Sequence, residues 1–379
     1  MDRCEHPCMT VTEPTARYAR WDGVGEPFRV VGTPLPETPG PGELLVAIDL
    51  ATVCGSDLHT TRGRRPSPAP GVLGHEQVGR VLALGPGATA RHVDGSLVRV
   101  GDRVVWSVAA SCGSCGRCRR GIPQKCTDLH KYGHEPLDET RPLTGGFASH
   151  CVLGPGTATV VVPDAVPDTV AAPASCATAT VAAVLDAAGL GPSAAGLRVL
   201  VTGAGMLGVT AAAMASRAGA DVVVDPHADR RDRALRFGAV AAVPGPPAAP
   251  GSPGSPGAPA APGFDRVDVA LELSGAPSAV QACLDNLDVG GTVVLAGSVS
   301  PGPAVALDPE RVVRGLHTVV GVHNYAPRHL ATAVGFLAAE HARFPFAELT
   351  GGPWDLDDID AAFAAAGEPG AAPRQGVRP

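Results

Sequence analysis

Apolar positions along the chain change their rhythm once. Up to about Pro173 they come in short runs, Glu43 to Ile48, Val78 to Leu84 and Arg103 to Val108, parted by Gly and Pro clusters; this pattern predicts a loop-rich, mostly β region. From about Ala177 an Ala-rich helical stretch takes over. It is followed by the apolar strand Arg198 to Thr202, the turn GAGMLG, a helix from Met206 to Ala218 and a strand from Val222 to Asp225, which together predict a βαβ unit. Val267 to Leu273 and Thr292 to Ala296 predict two further buried strands of a parallel, doubly wound sheet reaching about Val322. The tail predicts a helix through Glu340, a second near Asp358 to Ala366, and a return to the first region. The expected class is therefore α/β: a mostly β domain from residues 1–176 and 324–379, and a doubly wound parallel-sheet domain over 177–323. The segment 244–263, PGPPAAPGSPGSPGAPAAPG, lacks large apolar side chains and predicts a flexible surface insertion.

Composition narrows the function classes. A chain of 379 residues can bury two ordinary cores and enclose a cleft between them. With 45% apolar residues and a net charge of -7, neither disorder nor a nucleic-acid partner is indicated. No run reaches the ~18 apolar residues of a membrane span, and the start, MDRCEHPCMT, lacks an apolar core, so a cytoplasmic protein is expected. Met9 is a second candidate start, and Cys4, His6 and Cys8 read as a frayed terminus. Lys125 and Lys131 are the two lysines among 30 basic residues, a bias toward Arg that carries no fold information.

Ten cysteines in a reducing compartment point to metal rather than disulfides. Cys112, Cys115, Cys118 and Cys126, spaced three, three and eight apart in SCGSCGRCRRGIPQKC, can wrap one zinc tetrahedrally and close it off, which defines a structural site in a lobe of about 110–128. An iron–sulfur cluster or redox thiols use similar ligands. Cys151 and Cys283 sit in apolar contexts and read as core. Elsewhere TVCGSDLH holds Cys54, Ser56, Asp57 and His59, and GHE holds His75 and Glu76; one thiolate and one imidazole make half a zinc site.

The turn Gly203 to Gly208 follows a strand and opens a helix, the context of a Rossmann dinucleotide fingerprint. Gly203 allows the tight turn, Gly205 the approach of pyrophosphate, and Gly208 close helix–sheet packing; the amides of Met206 and Leu207 lie at the phosphate end of the helix. Asp225 ends the next strand, seventeen residues after Gly208, where a carboxylate binds ribose hydroxyls and repels a 2'-phosphate. That favours NAD over NADP, with Arg230 and Arg231 nearby as the counter-indication.

From about Pro27 to its C-terminus the chain resembles the zinc-containing medium-chain alcohol dehydrogenases, on TVCGSDLH, GHE, GGFASH at Gly145 to His150, and APASCATAT. The resemblance implies a GroES-like catalytic domain, a Rossmann cofactor domain, two zinc ions per chain and NAD. It implies that Cys54, His75 and Cys176 hold the catalytic zinc, that Ser56 meets the substrate oxygen, and that His59 passes the proton outward. Asp57 would orient His75, and Glu76 would lie behind the metal. A Cys2His set leaves a fourth position open, and an ion there that takes the pKa of water from 15.7 to roughly 7 would acidify an alcohol in the same way. A homodimer or homotetramer through edge strands near Thr318 to Val322 is also implied.

PQKCTDLHKYGHE and GVHNYAPRHL resemble a bacterial subgroup associated with phosphonate metabolism, which implies a hydroxyalkylphosphonate or its aldehyde as substrate. Lys131 and His323, with His130, His134 or Arg328, could supply the cations, and the alternative for each is an ordinary loop residue. A polyol or amino-alcohol dehydrogenase is the runner-up. From another class, a catalytically silent zinc-binding regulatory relative remains open, although none of Cys54, His75, Cys176, Ser56 and His59 is lost.

Overall fold

The computed structural model describes residues 16–87, 89–191, 196–216, 219–245 and 266–379, with side chains of 219–222 excepted. Most of the insertion expected over 244–263, together with Cys4, His6 and Cys8, lies outside the described residues.

Six strands form one parallel sheet in the spatial order Ala241–Val243, Gly219–Val224, Leu197–Thr202, Val267–Glu272, Leu287–Leu295, Thr318–Gly321. Numbered along the chain this is 3-2-1-4-5-6, the doubly wound order whose crossover point lies at the strand Leu197–Thr202. The strand's side chains divide between two cores. Val199 and Val201 pack with Met206 and Val209 of the helix Met206–Ala215 and with the helix Ala177–Ala187, whereas Leu200 packs with Val293 and Cys283. Burial on both faces is why this strand reads as a continuous apolar run.

The helix after the glycine turn runs over Met206–Ala215, and residues 217 and 218 of the expected Met206 to Ala218 lie outside the described residues. Its partner strand begins earlier than expected, at Gly219.

A second sheet, antiparallel except where Thr350–Asp355 pairs in parallel with Arg374–Arg378, curls around a second core. Its path runs Thr350–Asp355, Arg374–Arg378, Leu44–Val53, Gln77–Leu84, Arg103–Ser111, Leu129–Lys131, with His150–Leu153 and Thr157–Val161 added on Leu44–Val53 and Arg103–Ser111. Leu44–Val53 extends beyond the apolar run expected to end at Ile48, because it pairs with Gln77–Leu84 on one side and with His150–Leu153 and then Arg374–Arg378 on the other. The C-terminal strand has no apolar alternation; pairing across Gln375↔Val53, Gly376↔Thr52 and Val377↔Ala51 makes it a strand.

The helix Pro327–Glu340 lies at the junction: Leu330, Ala333 and Leu337 share one continuous core with Val105, Val181 and Val199. Tyr325 is buried just before it, where its hydroxyl donates to the carbonyl of Ser175 and accepts from the amide of Val108.

Candidate metal and cofactor sites

Three chain segments meet at the end of the strand Leu44–Val53. Cys54 ends that strand and caps the helix Gly55–Thr61; its amide donates to Asp57 Oδ2 at 2.9 Å. His75 and Glu76 precede the strand Gln77–Leu84, held beside Cys54 by the bond from Thr52 N to Glu76 O at 2.9 Å. Gly74, at φ +92°, is tied to the GGFASH segment, since the Gly146 amide donates to Gly74 O at 2.8 Å and a Cβ on Gly145 would lie 2.3 Å from Val72 O. Cys176 caps the helix Ala177–Ala187. Ser175 Oγ, 3.3 Å from His75 O and 3.4 Å from Gln77 N, ties that turn to the His75 strand.

One ligand atom from each of Cys54, His75, Glu76 and Cys176 lies within 4.8 Å of the others, a set that could hold one metal ion. A hydrogen bond from Cys176 and the Arg374 guanidinium hold the Cys54 thiol well below its usual range. Burial opposes charge on His75, but Asp57, 3.4 Å from Nδ1, and the Cys54 sulfur push it up to about 10. These groups thus share protons on lone pairs that a cation would take, and metal binding here would release them. Ser56 Oγ lies 3.3 Å from His75 Nε2. One turn along the same helix, His59 keeps Nδ1 buried without a hydrogen-bond partner, and burial followed by Arg64 lowers its pKa.

Glu76 is fully buried, and burial raises its pKa to about 7 against the pull of Arg374. Arg374 donates from Nε to Oε2 at 2.6 Å and from Nη2 to Oε1 at 2.7 Å, and Nη2 also lies 3.4 Å from Cys54 Sγ. Sequence reasoning missed Arg374. Nothing near it marks it out, and only the pairing of the last strand brings it to the site.

In the lobe, Cys115 Sγ lies 3.5 Å from Cys118 Sγ and 3.9 Å from Cys126 Sγ, with Cys112 Sγ 3.4 Å from Cys126 Sγ. Tetrahedral thiolates at a Zn–S length of about 2.3 Å stand about 3.8 Å apart. A disulfide requires about 2.05 Å, and a multi-iron cluster would splay the sulfurs because they are divided among different irons. The spacing fits a single ion. Amides of Cys112, Cys115 and Asp128 donate to these sulfurs at 3.3, 3.3 and 3.4 Å, as charged thiolates require. Cys151 and Cys283 are buried thiols away from both sets.

In the doubly wound domain, Gly203 adopts φ +91°, and a Cβ on Gly208 would lie 1.7 Å from Gly203 O. Gly205 differs: a Cβ there would meet nothing within 4 Å, so the open side of the turn faces the space a phosphate would fill. Asp225 is more enclosed than the sequence suggested, at 2% exposure, and its oxygens accept from Ala204 N at 2.8 Å and His227 N at 2.9 Å. Each oxygen retains a lone pair for a further donor. Arg230 approaches it to 3.9 Å, and Arg231 bonds the carbonyls of Asp225 and Pro226.

Of the cations considered for substrate, Lys131 and His323 lie on the metal-ligand side. His134 is there too, its ring centroid 5.0 Å from that of His75. Arg328 does not join them; it pairs with Asp186 at 2.9 Å. His130 packs edge-on against Tyr132, with Glu135 at 4.0 Å.

Two family descriptions match the chain: an alcohol dehydrogenase GroES-like domain over residues 40–164 and a zinc-binding dehydrogenase over residues 207–339. The L-threonine 3-dehydrogenase of Deinococcus deserti is 34% identical over 306 residues, covering 78% of this chain and 80% of that protein. An alcohol dehydrogenase from Thermotoga maritima superposes with a TM-score of 0.84 at 25% identity, over 96% of this chain and 99% of that one. A zinc-binding dehydrogenase from Sinorhizobium meliloti, crystallised with NADP, superposes with a TM-score of 0.79 at 24% identity, over 97% and 100%. The chain belongs to the zinc-containing medium-chain alcohol dehydrogenase family. It is an oxidoreductase of that family, with a GroES-like domain and a nucleotide-binding doubly wound domain.

Proposed function

We propose that the chain interconverts a small alcohol and its aldehyde or ketone with NAD(H), using one zinc at Cys54, His75 and Cys176 and a second at Cys112, Cys115, Cys118 and Cys126. The observation that carries this is the convergence of two thiols and one imidazole beside Ser56, in a chain whose doubly wound domain also carries an open glycine turn. Bound at the first set, zinc supplies a Lewis acid that lowers the pKa of an alcohol hydroxyl. Bound along Gly203–Gly208, NAD supplies the hydride acceptor.

The chain's own residues handle the proton. Ser56 Oγ, beside the metal-facing nitrogen of His75, accepts it from the substrate hydroxyl while donating its own toward His59. Burial and Arg64 lower the pKa of His59, which favours the neutral imidazole that can accept that proton and pass it to solvent. Asp57, whose Oδ1 lies 3.4 Å from Nδ1, orients His75 through its charge. Glu76, neutralised by Arg374, backs the ligand set with its carboxylate.

The fixed Asp225 carboxylate supports NAD, since a 2'-phosphate would meet its charge. NADP on the Sinorhizobium protein weighs on the other side. For the substrate, we propose a hydroxyalkylphosphonate at Lys131 and His323. The second reading, an amino alcohol, is favoured by the L-threonine 3-dehydrogenase relative. The strand Thr318–Gly321, with Val319 at 41% exposure on the sheet edge, supports a homo-oligomer. The described cysteines are all thiols, which supports a cytoplasmic location.

Cys54→Ser tests the reading. Zinc content should fall from two to one per chain, with NADH formation from alcohols abolished and the four-cysteine lobe still loaded. Active protein that carries a single metal, or oxidation that survives chelation, would refute it.

A further inference from the structure

Beside the proposed zinc site, basic groups from four separate elements converge. Arg65 follows the helix capped by Cys54, Lys125 ends the short turn Pro123–Lys125 inside the four-cysteine lobe, Lys131 ends the strand Leu129–Lys131, and His323 follows the edge strand Thr318–Gly321. Lys125 Nζ contacts His323 Nδ1 across the cleft. An ammonium can only donate, so the neutral imidazole must carry its proton on Nε2 and offers that N–H as a donor.

Lys131 lies within electrostatic reach of Arg65, Lys125 and the Cys176 sulfur, and His134 links it to His75. The group therefore extends from the ligand set outward. Burial and mutual repulsion depress Lys131 to about 8 and His323 to about 4, a strain that a bound anion would relieve.

Carboxylates offset this charge only in part, through the field of Glu135 on Lys131. Among the described residues, Arg65, Lys125 and Lys131 enter no ion pair with an acidic group. The nearby acids are engaged elsewhere: Glu135 accepts the Lys131 amide at 2.6 Å, Asp57 accepts the Cys54 amide, and Glu76 is bound by Arg374. Both lysines of a chain whose other basic groups are arginines stand in this one place.

We propose that Arg65, Lys125, Lys131 and His323 form an anion subsite for the tail of the alcohol substrate, and that the four-cysteine lobe thereby contributes a substrate-binding residue as well as a fold. It rests on the dehydrogenase reading above and deepens it. Three cationic groups and a neutral N–H donor fit a doubly charged tetrahedral oxyanion, phosphonate or phosphate, better than a carboxylate. A zwitterionic amino acid fits worse, because its ammonium would enter a field of like charge in which Glu135 already accepts the Lys131 amide.

Calorimetric titration of zinc-loaded protein with methylphosphonate, inorganic phosphate and acetate tests this without turnover. Methylphosphonate or phosphate should bind more tightly than acetate, and Arg65→Gln, Lys125→Gln and Lys131→Met should each weaken that binding by about tenfold or more. Arg328→Gln, whose arginine is paired with Asp186, should leave it unchanged. Acetate binding as tightly as the dianions, or Arg328→Gln costing as much as Lys131→Met, would overturn the proposal. A parallel assay of NADH formation from 1-propanol keeps the two readings separable: no turnover of any alcohol sinks the dehydrogenase, whereas turnover without dianion binding sinks only the subsite.

Discussion

Replacing Arg374 by Met should be among the most damaging single changes in the chain, although the residue lies five positions from the C-terminus. Its guanidinium is 4% exposed and Glu76 is 0% exposed, so neither charge has water to turn to. Removing the guanidinium deletes the two short bonds to Glu76 and leaves the carboxylate with Thr52 Oγ1 at 2.7 Å as its side-chain donor. Breaking one side of a buried pair costs about 3–5 kcal/mol, because Glu76 must either stay charged without its partner or take up a proton. Met is close in length and leaves the strand pairing of Gln375 to Val377 with Ala51 to Val53 intact, so the cost is electrostatic.

The second member of the test follows from that reasoning. Adding Glu76→Gln removes the orphaned charge, and the double variant should recover to within about 2 kcal/mol of the parent. Equilibrium urea unfolding of zinc-loaded protein measures both, with metal content read in parallel because Cys54 also loses its cationic neighbour. A single variant within about 1 kcal/mol of the parent, or a double variant less stable than the single, would refute the account.

The glycine turn separates fold from ligand. Gly205→Val should change stability by no more than about 0.5 kcal/mol, since its side chain enters open space at an ordinary φ of -74°, yet weaken NAD binding by about tenfold or more in a fluorescence titration; unchanged affinity would show that pyrophosphate does not lie there. Gly208→Ala should instead destabilise the domain through its clash with Gly203 O. The subsite should also show a pH limit. Lys131 titrates near 8, well below the ordinary lysine value, so its charge is present below that pH and lost above it. Methanesulfonate keeps a constant charge, and its affinity should fall as pH rises through about 8 and hold to higher pH in Lys131→Arg; a flat profile would remove Lys131 from the subsite. The other titratable and charged groups facing Lys131 are Arg65, Lys125, Glu135, His134 and the Cys176 sulfur, and burial lowers His323 to about 4 and His134 to about 2, so both imidazoles are neutral there.

Short-range chemistry was legible in the sequence, because contiguous residues carry it. Four cysteines within one lobe, a glycine turn between a strand and a helix, and Cys54 with Ser56, Asp57 and His59 on one turn of helix each declare their geometry through spacing along a single backbone. The alternation of Val199, Leu200 and Val201 between two cores likewise follows from the period of a strand. Other features depend on contacts between distant parts of the chain, for which no local pattern exists. Arg374 stands 298 residues from Glu76, and Lys125 stands 198 from His323. Their pairing depends on where the last strand docks and how the lobe meets the junction, and those are set by the packing of whole elements. The enclosure of Asp225 by the Ala204 and His227 amides, and the capture of Arg328 by Asp186, belong to the same class. A sequence can name a charged side chain, but burial and neighbours decide whether it remains free to bind a ligand, and both exist only once the chain has folded.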